Sequence, residues 1–168
     1  MDKKGKKQFL GFTLACLALS APGIAQSEKL IDYVNPFVGT GGYGNVYPGA
    51  QIPFGGIQIS PDTNHRFYDA ASGYKYNHTS LMGFSLTHLS GTGIPDLGDF
   101  LFMPGTGEAK LTPGTPENPD EGYRSRYSHE REQATPNYYT VHLDDYGVKA
   151  EMTSGLRSGM FRFTLSLI

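Results

Sequence analysis

Two glycine-rich stretches hold the residues whose types and spacing could do chemistry. The first is residues 38–50 (VGTGGYGNVYPGA), in which glycines surround Tyr43 and Tyr47. Glycine lets backbone N–H groups approach a ligand closely, and a tyrosine ring can flank a sugar. The stretch lacks the Gly-Lys-Ser/Thr ending of a phosphate-binding loop, and no helical pattern begins there. It is therefore interpreted either as a ligand-binding loop or as a tight structural loop.

The second stretch is residues 83–93 (GFSLTHLSGTG), which places His88 in a predicted strand before a turn of small residues. His88, Asp96 and Asp99 could form a metal or acid–base cluster, but they lack the close ligand spacing of HxH or HExxH sites. Ser90 has no surrounding GxSxG motif, which argues against a serine hydrolase. His88 is thus either a functional residue or a histidine whose hydrogen bonds are satisfied in or beside the core.

The elements that must position these stretches are short strands bounded by glycine and proline, with almost no helical signal. Residues 144–147 (DDYG) are a good hairpin signal between two alternating segments, and residues 104–122 are expected to be a loop. This spacing of strands and turns predicts an all-β fold, an antiparallel β-sandwich. The predicted strands are residues 30–34, 51–60, 83–89, 99–103, 137–143, 148–153 and 160–168.

The composition excludes several classes of protein. The chain has 168 residues, of which 38% are hydrophobic and 12% aromatic, a mixture too aromatic for a disordered chain. Its formal net charge is −2, and no basic run follows the first seven residues. Nucleic acid is therefore not expected as a partner.

The first 25 residues are predicted to be a secretory signal peptide. Lysines at the start precede a short apolar segment at residues 9–21, and small residues at 23 and 25 mark a cleavage site. The apolar segment is shorter than the roughly 20 residues of a membrane span. The mature protein is therefore expected to be exported, periplasmic or secreted, with no membrane association after cleavage. A lipoprotein signal around Cys16 is the weaker alternative, because Thr13 stands where a large aliphatic residue is needed.

Removal of residues 1–25 leaves 143 residues with a net charge of −5 and no cysteine. The exported domain would therefore have no disulfide and no thiolate chemistry, and its stability must come from its core. The chain stops within an apolar, alternating stretch. A strand that needs a partner would be left at an edge, which favours a truncated piece of a longer protein over an ordinary terminal strand.

A series of short motifs follows in order along the chain. They are residues 33–40 (YVNPFVGT), 47–50 (YPGA), 53–55 (PFG), 60–62 (SPD), 72–74 (SGY), 83–93, 98–99 (GD), 127–130 (YSHE) and 138–150 (YYTVHLDDYGVKA). This series resembles the opening of glycoside hydrolase family 92. The resemblance runs from about residue 30 to 165, and such a series is far more specific than a single glycine loop.

The resemblance implies a calcium-dependent, exo-acting α-mannosidase that inverts the anomeric centre and degrades mannose-containing glycans such as N-glycans. In this family an N-terminal β-sandwich is joined to a larger (α/α)6 barrel, which mainly supplies the catalytic acid, the general base and the calcium ligands. This sequence resembles the sandwich alone. Residues 26–168 are therefore expected to be the N-terminal domain, whose partner is the C-terminal catalytic domain of the same polypeptide.

The resemblance implies substrate-binding roles for Gly41 and Gly42, whose loop approaches mannose through its backbone, and makes His88 the best polar candidate. It also implies a pocket segment at residues 65–73 (HRFYDAASG). Relatives that cut α-1,2 links often carry Trp and Cys in this segment; their absence here argues against that preference. The candidates in this segment are Phe67, Tyr68 and Asp69.

No residue of this chain is expected to be catalytic. Inversion needs an acid and a carboxylate roughly 6.5–9.5 Å apart, with a water between them. The pairs Asp96/Asp99 and Asp144/Asp145 are too close in sequence and too turn-like to supply these groups. The predicted function is therefore the sugar-pocket-forming domain of an exported mannosidase, inactive alone. The alternative is a free carbohydrate-binding module or a truncated gene product.

Overall fold

An all-β architecture with antiparallel pairing throughout is seen in the computed structural model, which describes residues 29–64, 70–91, 94, 96 and 98–166. The predicted all-β antiparallel sandwich is confirmed, whereas the predicted signal peptide lies outside the described residues. In chain order the strands are β1 (Ser60–Asp62), β2 (Ser80–Leu81), β3 (Gly83–Ser85), β4 (Ser125–Arg126), β5 (Glu132–Thr135), β6 (Tyr138–Leu143), β7 (Val148–Ser154) and β8 (Gly159–Leu165).

The largest sheet is a four-stranded meander in the order β5-β6-β7-β8. Its centre is the predicted hairpin, in which Leu143 pairs with Val148 across a turn that contains Gly147. Gly147 has a φ of 61°, which glycine adopts at little cost. The alternating segment predicted at residues 160–168 forms β8, which pairs with β7 along its whole length.

Two small sheets accompany the meander: β1 pairs with β3, and β2 pairs with β4. The apolar core connects these sheets to the meander, and the ring centroids of Phe84 on β3 and Phe163 on β8 lie 6.3 Å apart. Full burial of such a side chain stabilises the fold by about 1.5–3 kcal/mol. The buried core residues are Ala50, Ile59, Tyr74, Leu81, Phe84, Tyr127, Tyr139, Val141, Leu143, Val148, Ala150 and Met152.

The strand predicted at residues 30–34 is wrong, because Leu30–Tyr33 forms a 3-10 helical turn. The backbone N–H of Lys29 donates to the Asp32 carboxylate at 3.2 Å, and such local bonds compete with strand pairing. Further 3-10 turns form at Pro119–Glu121 and His129–Arg131. None of the helical segments in the described part of the chain has the length and apolarity that a bilayer crossing requires.

Three other predicted strands are much shorter than expected. Of residues 83–89, only Gly83–Ser85 forms β3, so His88 lies beyond the end of that strand. Residues 51–58 form a loop, bounded by an isolated bridge between Ala50 and Ile59. Residues 99–103 contribute one isolated bridge, between Phe102 and Phe84. The short strands β2, β4 and β5 are not among the predicted strands. The loop predicted at residues 104–122 is confirmed apart from its 3-10 turn at Pro119–Glu121.

A buried carboxylate joins the first strand of the meander to the segment before β2. The side chain of Glu132 has no exposed surface. It accepts hydrogen bonds from the hydroxyls of Tyr74, at 3.0 Å, and Tyr139, and it is also paired with Nδ1 of His129. Burial, aided by the charge of Glu132, raises the pKa of both tyrosines above its ordinary value of 10, so both hydroxyls remain protonated donors.

We expect Tyr139→Phe to lower the free energy of unfolding by about 2 kcal/mol, because Glu132, whose side chain has no exposed surface, then lacks one donor. Tyr138→Phe is the matched control, since its hydroxyl donates at 2.7 Å to Glu151. Glu151 keeps two further bonds from Arg162, so the control should cost clearly less. Urea unfolding of both variants measures the difference; equal losses would contradict the role given to Glu132.

Candidate functional site

The glycine loop, residues 39–45, is anchored to the rest of the domain at three backbone carbonyls. The Thr40 carbonyl accepts the N–H of Tyr76 at 3.0 Å, and the Asn45 carbonyl accepts the N–H of Gly91 at 2.7 Å. Between them, the Gly42 carbonyl accepts a hydrogen bond from the Lys75 ammonium at 2.7 Å. The loop is thus fixed at its start, middle and end.

The glycines of this region fall into two kinds. A Cβ on Gly44 would lie 1.9 Å from the Gly39 carbonyl oxygen, and one on Gly49 would lie 2.0 Å from the Ile59 carbonyl oxygen. At Gly41 and Gly42 a Cβ would meet no atom within 4 Å. Packing therefore requires glycine at positions 44 and 49, whereas nothing in the described structure fills the space beside Gly41.

The outer side of the loop presents free donors and an aromatic ring. Gly41, Gly42 and Tyr43 are exposed, and no described residue accepts their backbone N–H groups. The Tyr43 side chain is 84% exposed, and the Lys75 ammonium lies 5.8 Å from its ring centroid. Backbone N–H groups beside an exposed aromatic ring are suited to hydrogen-bonding and stacking on a sugar.

His88 lies in the interior, where it is 5% exposed. Its Nδ1 lies 2.8 Å from the Gln58 carbonyl oxygen, and its Nε2 lies 2.9 Å from Oδ1 of Asp62. The Ser85 hydroxyl donates to Oδ2 of the same carboxylate at 2.6 Å. Since both ring nitrogens face acceptors, the geometry favours the doubly protonated imidazolium.

Opposing effects set the pKa of His88. Burial lowers it, but the charge of Asp62, the hydrogen bond to Asp62 and the bond to the Gln58 carbonyl together outweigh burial. The net result is a pKa above the ordinary value of 6.5. When His88 is protonated, it therefore forms a buried ion pair with Asp62.

Gly73 packs directly against this ion pair. A Cβ on Gly73 would lie 2.3 Å from Oδ1 of Asp62 and 2.9 Å from Cδ2 of His88, and its φ of 87° also favours glycine. The Gly73 carbonyl accepts the N–H groups of Thr63 at 2.7 Å and Asn64 at 3.1 Å. The ion pair thus positions the turn that leads into residues 74–76, next to the glycine loop.

The structure places His88 beside Tyr47, just after the glycine loop, because the two rings lie 5.2 Å apart. His88 is buried, whereas Gly41 and Gly42 are exposed. Substrate contact by any of them stays a prediction. The other candidates, Phe67, Tyr68 and Asp69, lie outside the described residues.

The turn carboxylates are engaged in ion pairs at the hairpin. Asp144 pairs with Arg131 at 2.5 Å, and Asp145 pairs with Arg126 at 3.0 Å. Among the described residues, no group of three or more His, Cys, Asp or Glu side chains is placed to share a metal ion.

Residues 33–166 match the family model of the glycosyl hydrolase family 92 N-terminal domain. The chain belongs to glycoside hydrolase family 92. The predicted resemblance is therefore confirmed, and it concerns the N-terminal domain of the family.

Solved structures of family 92 enzymes support this assignment. An α-mannosidase of the family from Bacteroides thetaiotaomicron, in complex with mannoimidazole, is 85% identical with a TM-score of 0.81, over 82% of this chain and 18% of its own. An inverting mannosidase from the same organism is 27% identical with a TM-score of 0.64, over 83% of this chain and 19% of its own.

A named relative from Arthroderma benhamiae, an uncharacterized secreted glycosidase, is 28% identical over 147 residues. That match takes in 83% of this chain and 18% of the fungal protein. The family 92 chain described above thus spans less than a fifth of the length of these relatives.

Three residues whose side-chain contacts organise this region escape the sequence analysis: Asp62, Lys75 and Glu132. Asp62 follows a proline and reads as part of a turn, while Glu132 lies in a polar segment. The one usable signal is at Lys75, a lone cation between two tyrosines in an aromatic segment (GYKYN). Each of the three also binds a residue at least 26 positions away in sequence, namely His88, Gly42 and Tyr74, and local patterns do not reveal such contacts.

The buried ion pair makes stability depend on pH. A histidine with a raised pKa in the folded chain stabilises the fold fully below its unfolded value of 6.5, and this stabilisation is lost as the pH rises through the folded value. We expect the wild-type free energy of unfolding to decline as the pH rises from 6.5 through the folded pKa of His88. Asp62→Asn, which removes the charge that retains the proton, should be less stable near pH 6 and lack this decline.

Urea unfolding at steps from about pH 6 to about pH 9 measures this difference, a range that spans the titration of a raised histidine. His142→Asn is the control, because His142 pairs with Asp144 at the hairpin and lies outside the interior. The control should keep the wild-type decline. An Asp62→Asn profile parallel to the wild type would contradict the assignment.

Proposed function

We propose that this chain forms part of the sugar pocket of an exported, inverting exo-α-mannosidase that acts on mannose-containing glycans, and that the chain is inactive alone. Membership of family 92 supports the enzyme class. The 85% identity to a family 92 α-mannosidase supports mannose as the sugar, and the name of the inverting relative supports inversion. The N-terminal domain would contribute pocket surface, and the rest of the polypeptide would contribute the reacting groups.

The observation that carries this proposal is the unoccupied space at Gly41. The domain itself does not require glycine there, since a Cβ would meet nothing within 4 Å. The same loop is anchored at three carbonyls, so the open space is held in a fixed position. A fixed, exposed backbone without a side chain suits close approach by a sugar hydroxyl.

The engagement of three described aspartates supports inactivity of the chain alone. Inverting hydrolysis needs one carboxylic acid and one free carboxylate with room for water between them. Asp62, Asp144 and Asp145 are instead held by His88, Arg131 and Arg126. We infer that the acid and the base come from another part of the polypeptide.

We also propose that the whole enzyme binds calcium through ligands outside this chain. Calcium would supply a positive charge and coordination sites for sugar hydroxyls. Export is proposed as well, periplasmic or secreted, supported by the predicted signal peptide and by the secreted glycosidase among the relatives.

A free carbohydrate-binding module is the second candidate, and the exposed Tyr43 ring favours it. The two functions differ in what residues 26–168 do by themselves. For the proposed function, we expect no release of mannose from an α-mannoside, with or without calcium, and weak or no binding of free mannose, since half of the pocket is lacking. Calorimetry and a mannose-release assay measure both. Micromolar binding by a monodisperse monomer would favour the module, and calcium-dependent release would overturn inactivity alone.

We expect Gly41→Ala in the full-length polypeptide to raise KM for an α-mannobiose about tenfold and leave the thermal midpoint unchanged, because the added methyl would occupy sugar space and touches no atom of the described residues. Gly41→Val should raise KM further. Gly44→Ala is the contrasting variant, since its Cβ would overlap the Gly39 carbonyl; it should lower the thermal midpoint strongly. Unchanged KM in both Gly41 variants would overturn the pocket role of the loop.

A further inference from the structure

We propose that Lys75 is a positioning residue of the sugar pocket, whose buried ammonium fixes the orientation of the Gly42–Tyr43 peptide. This inference rests on the function proposed above. Lys75 is 7% exposed, and its Nζ donates to the Gly42 carbonyl at 2.7 Å. Burying an ammonium is costly unless it is hydrogen-bonded, so breaking this contact would leave a buried charge unsatisfied.

The bond determines where a backbone donor points. The described chain contains no cis peptide bonds, and in a planar trans peptide the C=O and N–H point in opposite directions. With the Gly42 carbonyl held by Lys75, the N–H of Tyr43 is directed away from Lys75. Tyr43 is exposed, and none of the described residues accepts that N–H. A substrate hydroxyl or ring oxygen is the acceptor that this donor suits.

Lys75 is itself fixed by its neighbours on both sides. The Tyr74 hydroxyl donates to the buried Glu132 carboxylate at 3.0 Å. The Tyr76 ring stacks on His129 with centroids 4.0 Å apart, and the Tyr76 N–H donates to the Thr40 carbonyl. The Lys75 N–H donates to Oγ1 of Thr63 at 2.9 Å. The ammonium is therefore presented to the loop from a backbone bound to the meander.

A freely rotating Gly42–Tyr43 peptide would otherwise weaken the pocket. Gly42 has a φ of 58° and no atom near its Cβ position, so its own conformation restrains the peptide little. Fixing one donor in advance lowers the entropy lost when substrate binds. Loss of Lys75 should therefore appear in substrate affinity more than in the chemical step or in the stability of the fold.

The test compares Lys75→Met with Lys75→Arg in the full-length polypeptide, using α-mannobiose as substrate. We expect Lys75→Met to raise KM about tenfold with kcat within about twofold, and Lys75→Arg to recover most of the loss because its guanidinium can donate to the same carbonyl. Lys110→Met is the matched control, since Lys110 also donates to a backbone carbonyl, that of Asp120, in an exposed loop. This control should keep the wild-type KM.

A second readout does not depend on activity. Hydrogen exchange measured by mass spectrometry should show faster exchange in peptides spanning residues 38–46 of Lys75→Met, with unchanged exchange in the β6–β7 hairpin. If Lys75→Met does not fold, Lys75→Gln takes its place and must show the same two changes. Wild-type exchange in the loop would overturn the inference.

Comparison with Gly41→Ala separates the two proposals. If Gly41→Ala raises KM but Lys75→Met does not, the positioning role is overturned while the proposed function stands. If neither variant changes KM, both are overturned. If Lys75 acts through the loop, the double variant Gly41→Ala/Lys75→Met should raise KM by less than the product of the two single-variant increases. An increase equal to that product would show independent action and overturn the inference.

Discussion

The buried carboxylate of Glu132 is the constraint on which the arrangement around the candidate site depends. A carboxylate without exposed surface is stable only when hydrogen bonds replace its lost water, and here they come from Tyr74, Tyr139 and His129. Tyr139 belongs to the meander, whereas Tyr74 belongs to the segment before β2. Satisfying one charge therefore joins two parts of the chain that are distant in sequence, and it does so inside the core.

A second set of buried charges, the Asp62–His88 pair, contacts Gly73, the residue before Tyr74. The Asp62–His88 pair leaves room only for glycine at position 73, while Tyr74 is held by Glu132. The next two residues reach the glycine loop, through the Lys75 ammonium and the Tyr76 N–H. Of these four consecutive residues, the first two thus contact the interior and the last two contact the loop. Buried ion pairs contribute little net stability, but they specify one geometry, and here that geometry is the position of the glycine loop.

The parts of the fold that could be predicted from the sequence are those written in local patterns. The β6–β7 hairpin and β8 alternate with period two around a glycine turn, so their strands and register follow from neighbouring residues. The 3-10 turn at Leu30–Tyr33 could not be predicted, because its apolar residues also suit a strand and the Asp32 bond decides between them. Asp62 pairs with His88, 26 residues away, and Glu132 binds Tyr74, 58 residues away; both separations exceed any window in which periodicity is read. The glycine loop could be located, but which of its glycines packing requires could not.

The glycines in and just after the loop are required for two different reasons. Gly44 and Gly49 are glycines because backbone atoms of the domain occupy the space that a side chain would need, so the fold explains them. Gly41 faces open space, and the fold gives no reason for the absence of a side chain there. A loop that is anchored at three carbonyls and has open space on its outer side is suited to form one wall of a sugar pocket. Because the chain matches less than a fifth of the length of its family 92 relatives, the other half can come from the remainder of such a polypeptide. The domain would then fix the position of the Gly41 backbone, although no packing contact of its own requires glycine there.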